Sequence, residues 1–219
     1  MSLALVVAVG LIAATGYVLA RRRALARSGG DARGLHSLPR YYGSAAALFA
    51  SIPALGVLII WLLGQPALIQ NAVLPIIPAE EITSAGVQSL ILSDVSRVAS
   101  GLDVATDQGV LTTASIAAMA DDPSDLRDTL GSVGVALGSD VKPFVLKAAQ
   151  ATRALTGQGR FWMVLVVLGL AAVGAVIGIR LADPNYRARN VVERSVLALL
   201  VGAACLAILT TLGLSLIHI

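Results

Sequence analysis

The sequence has few charged residues, histidines and cysteines, on which catalysis and metal binding commonly rely. Asp, Glu, Lys and Arg make up only 13% of its 219 residues, and it has two histidines and one cysteine. A single cysteine, Cys205, excludes a disulfide within the chain and a zinc site built from several thiolates. No GxxxxGK[ST] loop occurs, which excludes ATP binding through a Walker A site. We therefore expect no catalytic, cofactor-binding or metal-binding residue.

The sequence is rich in long apolar runs. The chain is 57% hydrophobic with a mean hydropathy of +0.83, whereas soluble domains carry about 25% charged residues. Four runs are long enough to cross a hydrocarbon core of about 30 Å, and they predict membrane helices at about residues 2–20, 41–63, 161–180 and 195–213. Apart from Arg180, none contains Asp, Glu, Lys, Arg or His. This argues against a channel or proton-coupled transporter formed by this chain alone.

Arginines between the runs indicate the orientation. Residues 21–40 hold six arginines against Asp31, and residues 182–194 hold three arginines against two acids. Cytoplasmic loops of membrane proteins carry such an excess of positive charge. We therefore predict that both loops are cytoplasmic and that the N-terminus and residues 65–160 are extracytoplasmic. A basic loop can also contact nucleic acid or lipid head groups, but orientation is the simpler explanation, and no nucleic-acid partner is predicted.

Residues 65–160 have a helical pattern and enough polar residues to leave the membrane. They hold ten acids against six bases, and apolar residues recur at spacings of three and four, as in Leu126, Leu130, Val133 and Leu137. We predict an all-α, polytopic membrane protein. Residues 1–64 and 161–213 form two membrane hairpins, and residues 65–160 form a small extracytoplasmic helical domain between helices two and three.

Glycines and acids suggest finer features. Four glycines are predicted to separate helices of the domain: Gly101, Gly109, Gly138 and Gly157. The densest acidic cluster is Asp121, Asp122, Asp125 and Asp128. Within it, Asp122 is predicted to cap a helix and Asp125 to lie in its first turn, rather than to bind calcium. Gly174 and Gly178 favour close approach of another membrane helix. Cys205 lies beside a small-residue face of the fourth helix and is expected to pack there.

Two segments resemble a known transporter family. They are LPRYYGSAAALFASIPALGVLIIW (residues 38–61) and RARNVVERSVLALLVGAACLAILTTLG (residues 187–213). Both are similar to the N-terminal part of PstC-type phosphate ABC-transporter permeases, in the longer bacterial form with extra helices and an external domain before the permease core. The resemblance covers residues 1–213. It implies that residues 190–194 are cytoplasmic and that the fourth helix begins the core.

The resemblance also implies a function. The family's ATPase-coupling loop and later core helices are absent from this sequence, so we expect an N-terminal fragment of the permease subunit of an ATP-driven phosphate importer, inactive alone. The expected location is the bacterial inner membrane. The expected partners are a second permease subunit, cytoplasmic ATPase subunits, an extracytoplasmic phosphate-binding protein and the lipid bilayer. The chain would not be an enzyme, since a partner would hydrolyse ATP, and its substrate-binding residues are not identified.

The last six residues, LSLIHI, suggest a reason for the missing helices. One frame of the transposon mosaic end used in sequencing libraries, CTG TCT CTT ATA CAC ATC, encodes this hexapeptide. We therefore expect residues 214–219 to be adapter-derived and the natural frame to be cut at about Gly213. An ordinary apolar terminus is the alternative. For function, the alternatives are a membrane sensor or a scaffold, with residues 65–160 binding a ligand or partner.

Overall fold

The fold is helical throughout the part of the chain that the structure describes. In this computed structural model, the described residues are 2–119, 123, 125–137 and 140–217. They contain no strand, and their α-helices are α1 (Ser2–Arg27), α2 (Pro39–Val73), α3 (Ala85–Asp107), α4 (Thr113–Ala118), α5 (Leu126–Ser132), α6 (Pro143–Arg180) and α7 (Ala188–Ile217). Short 3-10 turns lie at Ala32–Gly34, Leu74–Ile76 and Ala79–Glu81.

Helices α1, α2, α6 and α7 are long and apolar enough to cross a membrane. The predicted all-α fold with four membrane-length helices is confirmed. The extracytoplasmic position of residues 65–160 stays a prediction. The suggested adapter origin of residues 214–219 is also untested. Helix α7 includes Ile217, while His218 and Ile219 lie outside the described residues.

Two of these helices run well beyond the predicted membrane spans. Helix α2 continues past Pro66 to Val73, and α6 begins at Pro143 rather than near residue 161. The added turns are amphipathic and bury apolar side chains, with Val73 and Leu146 almost fully buried in one hydrophobic core. Tertiary packing therefore extends both helices, and in α2 it outweighs the local cost of the internal Pro66.

The chain divides into two compact units. The first comprises Met1–Ile59 and Val164–Ile219, and the second comprises Ile60–Met163. In the first unit, small residues bring α1, α2 and α6 together. A Cβ added at Gly174 would overlap the Phe49 carbonyl group, and one at Gly178 would overlap Ala46. The predicted close approach at Gly174 and Gly178 is confirmed, and its partner is α2.

The second unit has its own hydrophobic core. Side chains that are almost or fully buried come from α3, α5 and α6: Val98, Leu102, Leu126, Leu130 and Leu146. Arg153 links α6 to α3, because its Nε donates to Asp103 Oδ1 at 2.7 Å and its Nη2 to Thr106 Oγ1 at 3.2 Å. The side chains of Thr112 and Ser115 form a capping box at the start of α4. This unit therefore has the buried apolar centre of a folded domain.

The glycines predicted to separate helices behave differently from one another. Gly109 follows α3 with a φ of +72°, a left-handed conformation that favours glycine, so that prediction is confirmed. Gly101 and Gly157 lie inside α3 and α6, so the prediction is wrong for both. Close packing explains why a glycine lies inside α3 at position 101, since an added Cβ would lie 3.1–3.2 Å from the Val135 and Leu130 side chains. Gly138 lies outside the described residues.

The acidic cluster is only partly described. Asp125, which was predicted to lie in the first turn, instead occupies the N-cap position of α5 without a side-chain hydrogen bond, and Asp128 lies in the first turn. Asp121 and Asp122 lie outside the described residues. The acids that can be placed therefore suit the positive end of a helix dipole.

Candidate functional site

Two short connectors in the first unit contact each other through polar groups. The first connector is residues 28–38, between α1 and α2, and the second is residues 181–187, between α6 and α7. Arg27, the last residue of α1, donates from Nη1 to Asp183 Oδ2 at 2.6 Å. That hydrogen bond, helped by the backbone N–H of Asn185, holds the pKa of the Asp183 carboxyl below its usual value. This ion pair ties the end of α1 to the second connector.

The carbonyl oxygen of Pro184 provides a second link. It accepts the backbone N–H of His36 at 3.0 Å and the hydroxyl of Tyr42 at 3.2 Å. Tyr42 is almost fully buried in a cluster of small alanines that includes Ala182 and Ala188. One backbone carbonyl thus joins the second connector to the first connector and to α2.

The first connector contacts the first turn of α7. Ser37 is the buried polar residue of the first connector, and its Oγ accepts the backbone N–H of Arg189 at 3.3 Å. This N–H belongs to the first turn of α7, where helical N–H groups lack partners within the helix. A side chain from another connector therefore caps α7, and Arg189 itself pairs with Glu193 at 2.6 Å. The start of α7 is fixed in position.

The remainder of α7 contrasts with its start. Residues 196–215 are all exposed, and none of the most apolar window of the helix is buried. Cys205 is among the exposed residues, so the expectation that it packs is not met within the described part of the chain. Gly202 likewise has no neighbour within reach of an added Cβ. A helix that is apolar all round normally lies within protein or lipid.

An apolar groove lies beside the first turns of α7. Its volume is 180 Å³, and its lining comes from α2 and α7: Ala45, Leu48, Phe49, Ile52, Pro53, Val191 and Ser195. Pro53 of α2 is exposed and lies in this lining. The groove and the exposed α7 together form an uncovered apolar surface of the first unit.

Two cavities of different character lie among the described residues of the second unit. The larger, of 320 Å³, is lined by apolar and neutral polar side chains of α2, α3 and α6, including Gln65, Ser96 and Thr152. The smaller, of 120 Å³, is bordered by Glu81, Asp94, Asp140 and Lys142. Lys142 Nζ lies 2.7 Å from Glu81 Oε2. Neither cavity offers a free cation among its lining residues, so neither suits a phosphate anion.

Metal and substrate sites are not assigned to any residue. Within the described residues, no group of three or more His, Cys, Asp or Glu side chains is arranged to hold a metal ion. The absence of catalytic, cofactor and metal residues stays a prediction from the sequence. Two of the connector contacts had no signal in the sequence, since they use the Pro184 carbonyl group and the Ser37 hydroxyl. The pairing of Arg27 with Asp183 was not predicted either.

Comparison with known proteins identifies a family for most of the chain. A family model described as "Phosphate ATP-binding cassette transporter" matches residues 6–176. The matched range includes α1 to α5 and most of α6, well over half of the 219 residues. Residues 187–213, with the start and most of α7, lie beyond it. No curated protein and no solved structure matches the chain.

Proposed function

Because this chain belongs to the family of phosphate ATP-binding cassette transporters, we propose that it is the N-terminal part of the membrane permease of an ATP-driven phosphate importer. The family match is the observation that carries this proposal, and it agrees with the resemblance found in the sequence. The chain is a membrane protein with four membrane-length helices. It would be inactive alone, and a separate subunit would hydrolyse ATP.

Helix α7 would be the first helix of the permease core. Its exposed apolar length and the adjacent groove favour this role, because helices of a permease must bury such surfaces against neighbours or lipid. The connectors would hold the start of α7 against α2, so that the core is joined to the first unit at a fixed point. Later core helices and a second permease subunit would supply the missing contacts.

The second unit would lie outside the cytoplasm and serve docking or assembly. Residues 65–160 carry an excess of acids, and the cavities described above lack free cations. Such a domain does not concentrate phosphate electrostatically. It is better suited to contact an extracytoplasmic phosphate-binding protein. A sensor is the weaker alternative, because residues 28–38 and 181–187 are too short to hold a cytoplasmic output domain.

Cys205 provides a test of the proposed permease core. It is the single cysteine of the chain and lies on the exposed length of α7. In membranes that contain the chain alone, a lipid-soluble maleimide should label Cys205 slowly but measurably, because thiols react slowly in hydrocarbon. In membranes that contain the complete transporter, labelling should fall at least about tenfold, because packed helices exclude the reagent from buried side chains. Mass spectrometry of the labelled peptide measures the fraction modified.

The matched control moves the cysteine to a position that the first unit already covers. In Cys205→Ala/Val167→Cys, the new thiol occupies a fully buried position on α6. Its labelling should be low in both membranes. Equal labelling of Cys205 with and without the other transporter subunits would contradict the assignment of α7 to the core.

The proposed orientation predicts which residues a membrane-impermeant maleimide can reach. On a Cys205→Ala background, Ser100→Cys places a thiol on the exposed side of α3, and Ala32→Cys places one in the first connector. Intact cells should label Ser100→Cys, while Ala32→Cys should require permeabilisation. Labelling of Ala32→Cys in intact cells, with Ser100→Cys protected, would reverse the proposed orientation.

A further inference from the structure

Six arginines of the first unit are exposed and lack a partner in the described part of the chain. We name them the arginine set: Arg21, Arg22, Arg33, Arg180, Arg187 and Arg194. They lie near the ends of α1, α6 and α7 and in the first connector. The contacts between the two connectors place these ends on the same side of the first unit. Positive charge is therefore concentrated at one end of this unit.

The acidic side chains of the first unit already have hydrogen-bond partners outside the arginine set or in the backbone. This unit has ten arginines and three acids in its sequence. Asp183 pairs with Arg27, and Glu193 pairs with Arg189. Asp31 accepts the backbone N–H of Arg33 at 2.9 Å and caps a 3-10 turn. No acidic side chain of this unit remains to neutralise the arginine set, so its counter-charge must come from outside the first unit.

Exposed apolar side chains lie among these arginines. Leu38 is 57% exposed in the first connector, and Leu181 is 39% exposed directly after Arg180. Tyr41 and Tyr186 are partly buried nearby, and the Arg40 guanidinium lies 5.3 Å from the Tyr41 ring centroid. Cations, leucines and tyrosines at the ends of membrane helices are typical of the head-group region of a bilayer. This mixture favours a membrane surface over a soluble acidic protein.

The basic side chains of the first unit are arginines, whose guanidinium groups suit phosphate as a ligand. All ten bases of the first unit are arginine, and both lysines of the chain, Lys142 and Lys147, are in the second unit. The planar guanidinium donates two parallel hydrogen bonds to phosphate oxygens, which an ammonium group cannot do. We infer that the arginine set binds the phosphate groups of anionic phospholipids, and that these lipids neutralise and stabilise the connector end of the first unit.

Lipid titration of the purified full-length chain tests this inference. Native mass spectrometry in a mild detergent would measure binding of phosphatidylglycerol and of phosphatidylcholine. We expect phosphatidylglycerol to bind at least about tenfold more tightly, and the preference to shrink as salt rises. The variant Arg33→Gln/Arg187→Gln/Arg194→Gln should lose on the order of a hundredfold in phosphatidylglycerol affinity, at about fivefold for each arginine.

Two further variants separate specific binding from net charge. Arg97→Gln/Arg127→Gln/Arg160→Gln removes the same charge from the second unit and should leave the lipid preference unchanged. The lysine triple variant Arg33→Lys/Arg187→Lys/Arg194→Lys keeps the charge and should retain an intermediate affinity. It tests the inference even if the glutamine variant fails to fold. Full affinity in the lysine variant would contradict the role assigned to the guanidinium fork.

Other outcomes would overturn the inference. Equal binding of the two lipids by the unaltered chain would do so, as would an equal loss of affinity in the second-unit variant. Displacement of phosphatidylglycerol by inorganic phosphate at matched phosphorus concentration would identify free phosphate as the ligand. If the glutamine variant kept its lipid affinity but no longer bound the ATPase subunits, the arginine set would be a protein-binding surface instead.

Discussion

Gly174→Leu is expected to abolish the folded first unit. The added side chain would occupy the position of the Phe49 carbonyl group and the Ala50 backbone, both on α2. A helix backbone cannot move aside as the tip of a flexible side chain can, so α2 and α6 must separate. Overpacking of this kind costs about 3 kcal/mol or more. Thermal unfolding in detergent, followed by size-exclusion chromatography, should show loss of the monodisperse protein.

Gly169 supplies the matched control on the same helix. An added Cβ at Gly169 has no neighbour within 4 Å in the described residues. Gly169→Leu should therefore leave the melting temperature unchanged or raise it slightly, since leucine favours helix more than glycine does. If both variants lowered the melting temperature equally, close packing between α2 and α6 at Gly174 would not be what stabilises this unit.

Leu102→Ala is expected to destabilise the second unit strongly. Leu102 is fully buried in the core formed by α3, α5 and α6. Truncation removes buried methyl groups and leaves a cavity, at a cost of about 2–5 kcal/mol. Hydrogen exchange of the full-length chain should show a large loss of protection in α3 and in the first turns of α6, because both helices contribute to this core.

The control for this second prediction lies on the same helix. Leu90 is 65% exposed, so Leu90→Ala should change stability by less than about 0.5 kcal/mol. Amide protection in α1 should be unaffected by either substitution, because α1 belongs to the other compact unit. Equal effects of Leu90→Ala and Leu102→Ala would contradict the burial that the structure assigns to Leu102.

The membrane helices were predictable because their signal is long and uninterrupted. Runs such as residues 161–179 contain no charge, and length alone identifies them. The close approach at Gly174 and Gly178 was also predictable, since their spacing places two small residues on one face. The signal for each feature lies within one short stretch of sequence, although the partner of Gly174 and Gly178, α2, was not predicted.

Other features depended on contacts that the sequence does not display. The extension of α2 to Val73 follows from burial of Val73 in a core built largely from later helices. Glycine usually disfavours a helix, yet Gly101 lies inside α3. A glycine fits there because the side chains of Leu130 and Val135 pack closely against it. The Ser37 cap on α7 joins residues 152 positions apart. Such features are decided by tertiary structure, which outweighs local preference.

The close packing of α1, α2 and α6 has a consequence for biogenesis. These three helices meet through their own small residues, with Gly16 against Ala175 and Gly174 against Phe49, and require no side chain from the exposed length of α7. Since α7 is the last of the four to be synthesised, it can leave the insertion machinery beside an anchor that has already folded. Its apolar surface then faces the bilayer, where new neighbours can be recruited one at a time. The early helices would thus act as a platform for insertion.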